Sequence, residues 1–210
     1  MPKRYISGRL PSAGKKYKFK MEEADEEEDE IEDNEVKVLN NNIYFYCDVS
    51  KETILDLNYH IEDLSNKLMI TSIQNGIDPI PIKLHIQSDG GEVFSAFSAV
   101  DTIKRCKVPV ETYIEGCAAS AATIISVAGH RRFITGNSHM LIHQISSSFW
   151  GKMNEFEDEM QNLSLLTKYI MNIYKDNTNL TVKKMKDIFK KDLWMPADEC
   201  LKMGLVDEIR

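Results

Sequence analysis

Little in this sequence could staple or anchor a fold from outside its own core. The four cysteines, Cys47, Cys106, Cys117 and Cys200, stand far apart and form no C-x-x-C pair, so neither a disulfide framework nor a thiolate zinc site is indicated. The five histidines, His60, His85, His130, His139 and His143, show no H-E-x-x-H or similar ligand spacing, and no metal or cofactor is expected. No apolar segment opens the chain and no apolar run approaches bilayer length. With the cysteine usage, that places the expected compartment in the reducing cytoplasm and excludes membrane insertion as an expectation.

Positive charge is missing altogether from Glu22 to Glu35, a stretch with 11 acidic residues. Without it the formal net charge of −7 becomes +4. Such a block cannot bury enough apolar surface to offset its ordering entropy and self-repulsion, so residues 1–40 are read as a mobile N-terminal segment. The basic first 20 residues are read as solvated surface rather than a nucleic-acid arm, since the acidic neighbour would compete with phosphate. Residues 41–210 are expected to form one domain, and a hydrophobic content of 42% suffices for a real core.

Within that domain, Ile43–Val49 reads as a buried strand, and Ile54, Leu57, Ile61, Leu64 and Leu68 fall at helical spacing up to the Asn75-Gly76 turn. Strand Ile80–Ile86 leads through Ser88-Asp89-Gly90-Gly91 into a helix carrying Val93, Phe97, Val100 and Ile103. Strand Val110–Ile114 then leads through Gly116 to Ser120 and a small, apolar helix. Two successive strand–turn–helix units imply parallel strands with both glycine turns at one sheet edge, so Gly90-Gly91 and Ser120 should be neighbours. Arg131–Asn137 reads as a turn-rich return, and His139–Gln144 as a short strand ending near His143. Phe156, Met160, Leu163, Leu166, Ile170 and Ile173 mark a long helix, Thr181 caps a shorter one, and Asp192 falls in the loop before Leu193-Trp194-Met195.

Ser120 at a strand-to-helix turn suits a nucleophile, because free backbone N–H groups beside it can stabilise an oxyanion. The same placement also suits a simple helix cap, and Gly90-Gly91 by itself is also an ordinary tight turn. Gly-x-Ala-Ala-Ser, Gly-Gly, Ile-His-Gln and Asp192-Leu-Trp-Met-Pro-Ala-Asp-Glu occur in an order and spacing that resembles the Clp protease proteolytic subunits. The likeness runs from about Asn42 to the C-terminus. It implies the α/β ClpP/crotonase-type fold, with repeated ββα units and a protruding helical handle, and a peptidase domain over 41–210. It also implies a serine endopeptidase with an acyl-enzyme on Ser120, general base His143 and orienting Asp192, Asp187 being the weaker rival. Gly91 and the Ala121 N–H then match the oxyanion hole.

The implied partners are peptides or unfolded proteins, copies of the same chain in heptameric rings that enclose the sites, and a Clp ATPase, whose docking the acidic block would crowd. A weakly active or inactive subunit that assembles or regulates is the alternative. A crotonase-type acyl-CoA enzyme would use Gly91 but leave Ser120, His143 and Asp192 unexplained, and a viral maturation protease would be a variation on the peptidase. Two departures bear on chemistry. Ala121-Ala122 stands where the family has Met-Gly, and Asp89 stands where it has Pro; a carboxylate at Asp89 would oppose oxyanion charge unless turned away or paired.

Overall fold

The computed structural model describes residues 36–210, so the expected mobile segment lies, but for its last few residues, outside the described ones. Strand β1 (Lys37–Leu39) pairs antiparallel with β2 (Asn42–Phe45), through a turn at Asn40 in the left-handed region. Helix α1 (Lys51–Asn75) starts at a capping box between Ser50 and Thr53 and stops at Gly76, whose φ of 62° closes the last turn. Strand β3 (Ile82–Ser88) and helix α2 (Val93–Arg105) follow, then β4 (Val110–Ala119), α3 (Ala121–Ser126), β5 (Arg131–Ile134) and β6 (His139–Leu141). The chain ends with α4 (Met153–Asn177), α5 (Val182–Ile188), β7 (Trp194–Pro196), α6 (Ala197–Lys202) and β8 (Glu208–Ile209).

The sheet runs β1-β2-β3-β4-β5-β8, and β2 through β5 are parallel neighbours, as two successive strand–turn–helix units require. Ile82, Leu84 and Ile86 of β3 are fully buried and share one core with Leu57 and Ile61 of α1 and Ala96, Ala99 and Ile103 of α2. Alternate positions carry a different set. Tyr44, His85, Tyr113 and Phe133, in register across four strands, stack at 4.6, 5.0 and 4.6 Å between ring centroids. Arg210 caps the row 4.0 Å above Phe133. Glu115 accepts from Tyr46 and faces His85 Nδ1 at 2.8 Å, and Asn42 lies 3.1 Å from His85 Nε2.

Several elements differ from the sequence expectation: Lys37–Leu39 forms a strand, β2 ends at Phe45 rather than Val49, and β6 ends at Leu141, before His143. Arg131–Ile134 is a strand rather than a turn-rich return, because Asp207, after the last helix, neutralises it: the Asp207 carboxylate accepts from the Arg132 N–H at 2.9 Å and from its guanidinium. β4 does not end at Ile114 but runs on through Gly116 to Ala119. Between Ile86↔Ile114 and Ser88↔Ala118 it fits two more residues than β3, and Gly116, at φ 74°, takes up the irregularity. The long helix α4 buries only Ile170 and Tyr174, both near its C-terminus, so its N-terminal half stands out from the body as the handle. No helix among the described residues is long and apolar enough to cross a membrane.

Candidate active site

The extended β4 delivers Ser120 to the C-terminal edge of the sheet. There its backbone takes φ 52° and ψ −123°, a conformation rare for a side chain with a Cβ. Three contacts hold the turn in place. The Ser120 N–H donates to Leu141 O at 2.8 Å, and the Ser120 carbonyl accepts from the Thr123 N–H at 3.1 Å and from Thr123 Oγ1 at 2.5 Å. Since Thr123 Oγ1 spends its only proton on that carbonyl, the Tyr174 hydroxyl, 2.5 Å away, is the donor between the two side chains. Tyr174 is fully buried, and burial pushes its phenol above its ordinary pKa, so it keeps the proton this chain of hydrogen bonds requires.

The two glycine turns meet as their parallel strands imply. A Cβ on Gly90 would lie 2.7 Å from both Ala119 O and Ser120 Cβ and 2.9 Å from Ala121 N. Only a glycine, here at φ 100°, lets the backbone come so close. Gly91 is held beside Val49 by Val49 N–H to Gly90 O and Glu92 N–H to Val49 O, both 2.8 Å. Neither the Gly91 nor the Ala121 N–H meets an acceptor among the described residues, so both remain available to an oxyanion. Asp89 is exposed and its carboxylate faces Cys117 Sγ at 3.7 Å, where burial and the carboxylate together raise the thiol pKa. Solvent screening there weakens the opposition to oxyanion charge expected from the sequence.

His143 follows β6, which runs parallel to β4 with Leu141 opposite Ala119. The next residue, Gln144, donates its N–H to Phe189 O at 3.2 Å, tying the histidine segment to the end of α5. Asp192 lies three residues beyond Phe189, in the loop before β7. His143 and Asp192 line one cavity of about 930 Å³ between α4, α5 and the segment after β6. Asp187 lines a different cavity, with Leu193 and Trp194, so position favours Asp192 over its rival. Ser120 is on the adjoining strand end and is not part of the cavity wall. No hydrogen bond links Ser120 to His143 or His143 to Asp192 among the described residues. Catalytic hydrogen bonds of this kind are often long before substrate binds.

Thr123 and Tyr174 were not singled out from the sequence, although Tyr174 sits one turn after Ile170 on the same helical stripe. Arg132 was also missed. Its guanidinium reaches the carbonyls of Asn177 and Gly204 as well as Asp207, clamping the C-terminal segment and the end of α4 to β5. No group of three or more His, Cys, Asp or Glu side chains among the described residues could hold a metal ion.

A family model described as Clp protease matches residues 38–210. The chain is similar to the ATP-dependent Clp protease proteolytic subunit of Deinococcus radiodurans, at 32% identity over 130 residues, which is 61% of this chain and 64% of that relative. It is also similar to the subunit of the same name from Streptococcus mutans serotype c, at 32% identity over 174 residues, covering 78% of this chain and 87% of that relative.

Proposed function

The chain belongs to the Clp protease family, and on that premise we propose that it is a serine endopeptidase in which Ser120 is the nucleophile, His143 the general base and Asp192 the group that orients the base. The observation that carries the assignment is the Ser120 turn, a non-glycine residue at φ 52° on a strand-to-helix junction with the Gly90-Gly91 turn packed against it. A strained turn exposes a hydroxyl at the head of a sheet while leaving neighbouring N–H groups free. His143 accepts the Ser120 proton as Oγ attacks the peptide carbonyl, and the Gly91 and Ala121 N–H groups receive the oxyanion. Collapse expels the amine, which takes the proton from His143. Water then attacks the acyl-enzyme, returns a proton through His143 and releases the acid.

Peptides and unfolded proteins are the substrates this reading implies, and rings of identical subunits, heptameric and stacked in pairs by family likeness, are the assembly. Exposed apolar side chains on α1 (Leu55, Tyr59, Ile70, Ile73) and on the handle (Met153, Met160, Tyr169) support contacts between copies. A Clp ATPase is the partner that the names of the relatives suggest. The unlinked Ser120, His143 and Asp192 give the weakly active alternative its support. A fluorophosphonate probe followed by intact-mass measurement separates the two. Labelling of the wild type but not of Ser120→Ala is expected, and no labelling of the assembled particle would overturn the peptidase assignment.

A further inference from the structure

Beside His143 and Asp192, the cavity wall holds three lysines and no further carboxylate. Lys168 and Lys175 stand two turns apart on one face of α4, and Lys186 faces them from α5. None of the three forms an ion pair among the described residues, whereas Lys67 and Lys202 elsewhere are each paired with an aspartate four residues away. Glu159, on α4 outside the wall, accepts from the Ser147 hydroxyl at 2.8 Å. If Asp192 serves His143, the cleft offers cations with no partner among the described residues to whatever lies in it. Met160, Leu163 and Met171 give room for the body of a peptide, and the other polar side chains of the wall, such as Gln144 and Asn172, are neutral.

We propose that this cleft selects acidic peptide segments: Asp or Glu side chains of the bound chain, within a few positions of the scissile bond, are received by Lys168, Lys175 and Lys186. The proposal rests on reading the cavity as the peptidase cleft and adds the substrate class to it. Each lysine is exposed, so one pair contributes a factor of about two to five in affinity, and two acting on one peptide about tenfold. The preference is electrostatic and weakens as salt rises.

The test uses the full chain carrying Ser120→Ala and fluorescein-labelled decapeptides that differ only in having three Glu, three Gln or three Lys residues. Anisotropy should show about tenfold tighter binding of the Glu peptide than of the Lys peptide at low salt. The ranking should invert in the Lys168→Glu, Lys175→Glu, Lys186→Glu triple variant and persist in the single-site control Lys51→Glu, which lies on α1 away from the cavity. All four positions are exposed, so a circular-dichroism melt equal to the parent shows that folding is retained. Equal binding of the three peptides, or a preference untouched by charge reversal, overturns the proposal. Fluorophosphonate labelling of the wild type reports on the peptidase reading separately, because the binding measurement needs no turnover.

Discussion

The aromatic row across β2–β5 and the cleft beside β6 lie on one sheet, but their side chains are satisfied differently. In the row, His85 sits between Asn42 and Glu115 and is stacked between Tyr44 and Tyr113, and the Tyr113 hydroxyl donates to Glu111 at 2.8 Å. Burial, reinforced by that bond, pushes the Tyr113 phenol up to about 12. In the cleft, His143, Asp192 and three lysines find no such partners among the described residues. Polar groups that answer one another contribute to stability, whereas groups left open are available to a substrate. The difference divides the described residues into a part whose polar groups are paired within the fold and a part that the proposed function leaves to a substrate.

Ser120→Ala should break the cleft and spare the row. Peptide hydrolysis is expected to fall by about 10³-fold or more, while the thermal midpoint stays within about 2 °C, because alanine carries the same Cβ into the same turn. A chromogenic peptide assay beside a thermal melt measures both. A comparable loss of stability would mean that the serine caps the helix rather than attacks a carbonyl.

Gly90→Ala acts on both parts at once. The added methyl would overlap Ala119 O and Ser120 Cβ and carry a positive φ, so we expect a loss of about 2–4 kcal/mol in urea unfolding and loss of hydrolysis. The position also marks what was legible in the sequence. Paired glycines after one strand and Ser120 after the next implied a shared sheet edge, since parallel connections leave no other place for them. What was hidden depends on partners distant in the chain. The bulge at Gly116 is set by pairing with β3, and the arginines of the basic strand β5 are answered by Asp207, Glu208 and Glu111, all distant in sequence. Lys168, Lys175 and Lys186 share a wall only after α5 has folded back on α4, which helix period alone does not encode.

Arg132→Ala tests whether satisfied polar groups hold the fold. It would leave two carbonyls without their donor and Asp207 with only the residue 132 backbone N–H, at a cost of about 2–4 kcal/mol. Burial raises the Asp207 pKa, but the Arg132 hydrogen bonds outweigh it and hold the carboxyl below its ordinary value. The unfolded chain therefore binds a proton first on acidification. The Asp207 share of stability is complete above the unfolded value of about 4 and is lost as pH falls below it. The gap between the urea midpoints of wild type and variant should narrow in that range, the carbonyl bonds alone remaining, and a constant gap down to pH 2 would refute the linkage.

Tyr174→Phe removes the hydroxyl that donates to Thr123, behind the Ser120 carbonyl. The expected cost is about 1 kcal/mol, with a severalfold fall in kcat and little change in KM, because the turn is loosened while the cleft wall is left intact. A change in KM alone would place the effect on substrate binding instead.

Glu115→Gln gives the smallest change and isolates the row. Burial raises the Glu115 pKa, but hydrogen bonds from Tyr46 and His85 outweigh it and hold the carboxyl low. The amide keeps an acceptor for Tyr46 and loses the charge beside His85, so a loss of about 0.5–1 kcal/mol is expected near neutral pH. That loss should disappear on acidification through the carboxylate range, since the wild-type carboxyl is then protonated too. Peptide hydrolysis should be unchanged, because Glu115 sits before the bulge at Gly116 and its bonds run to Tyr46, just after β2, and to β3 rather than to the Ser120 turn. A fall in hydrolysis with stability intact would show that the row and the cleft are coupled through β4, and the separation of holding from reacting would fail.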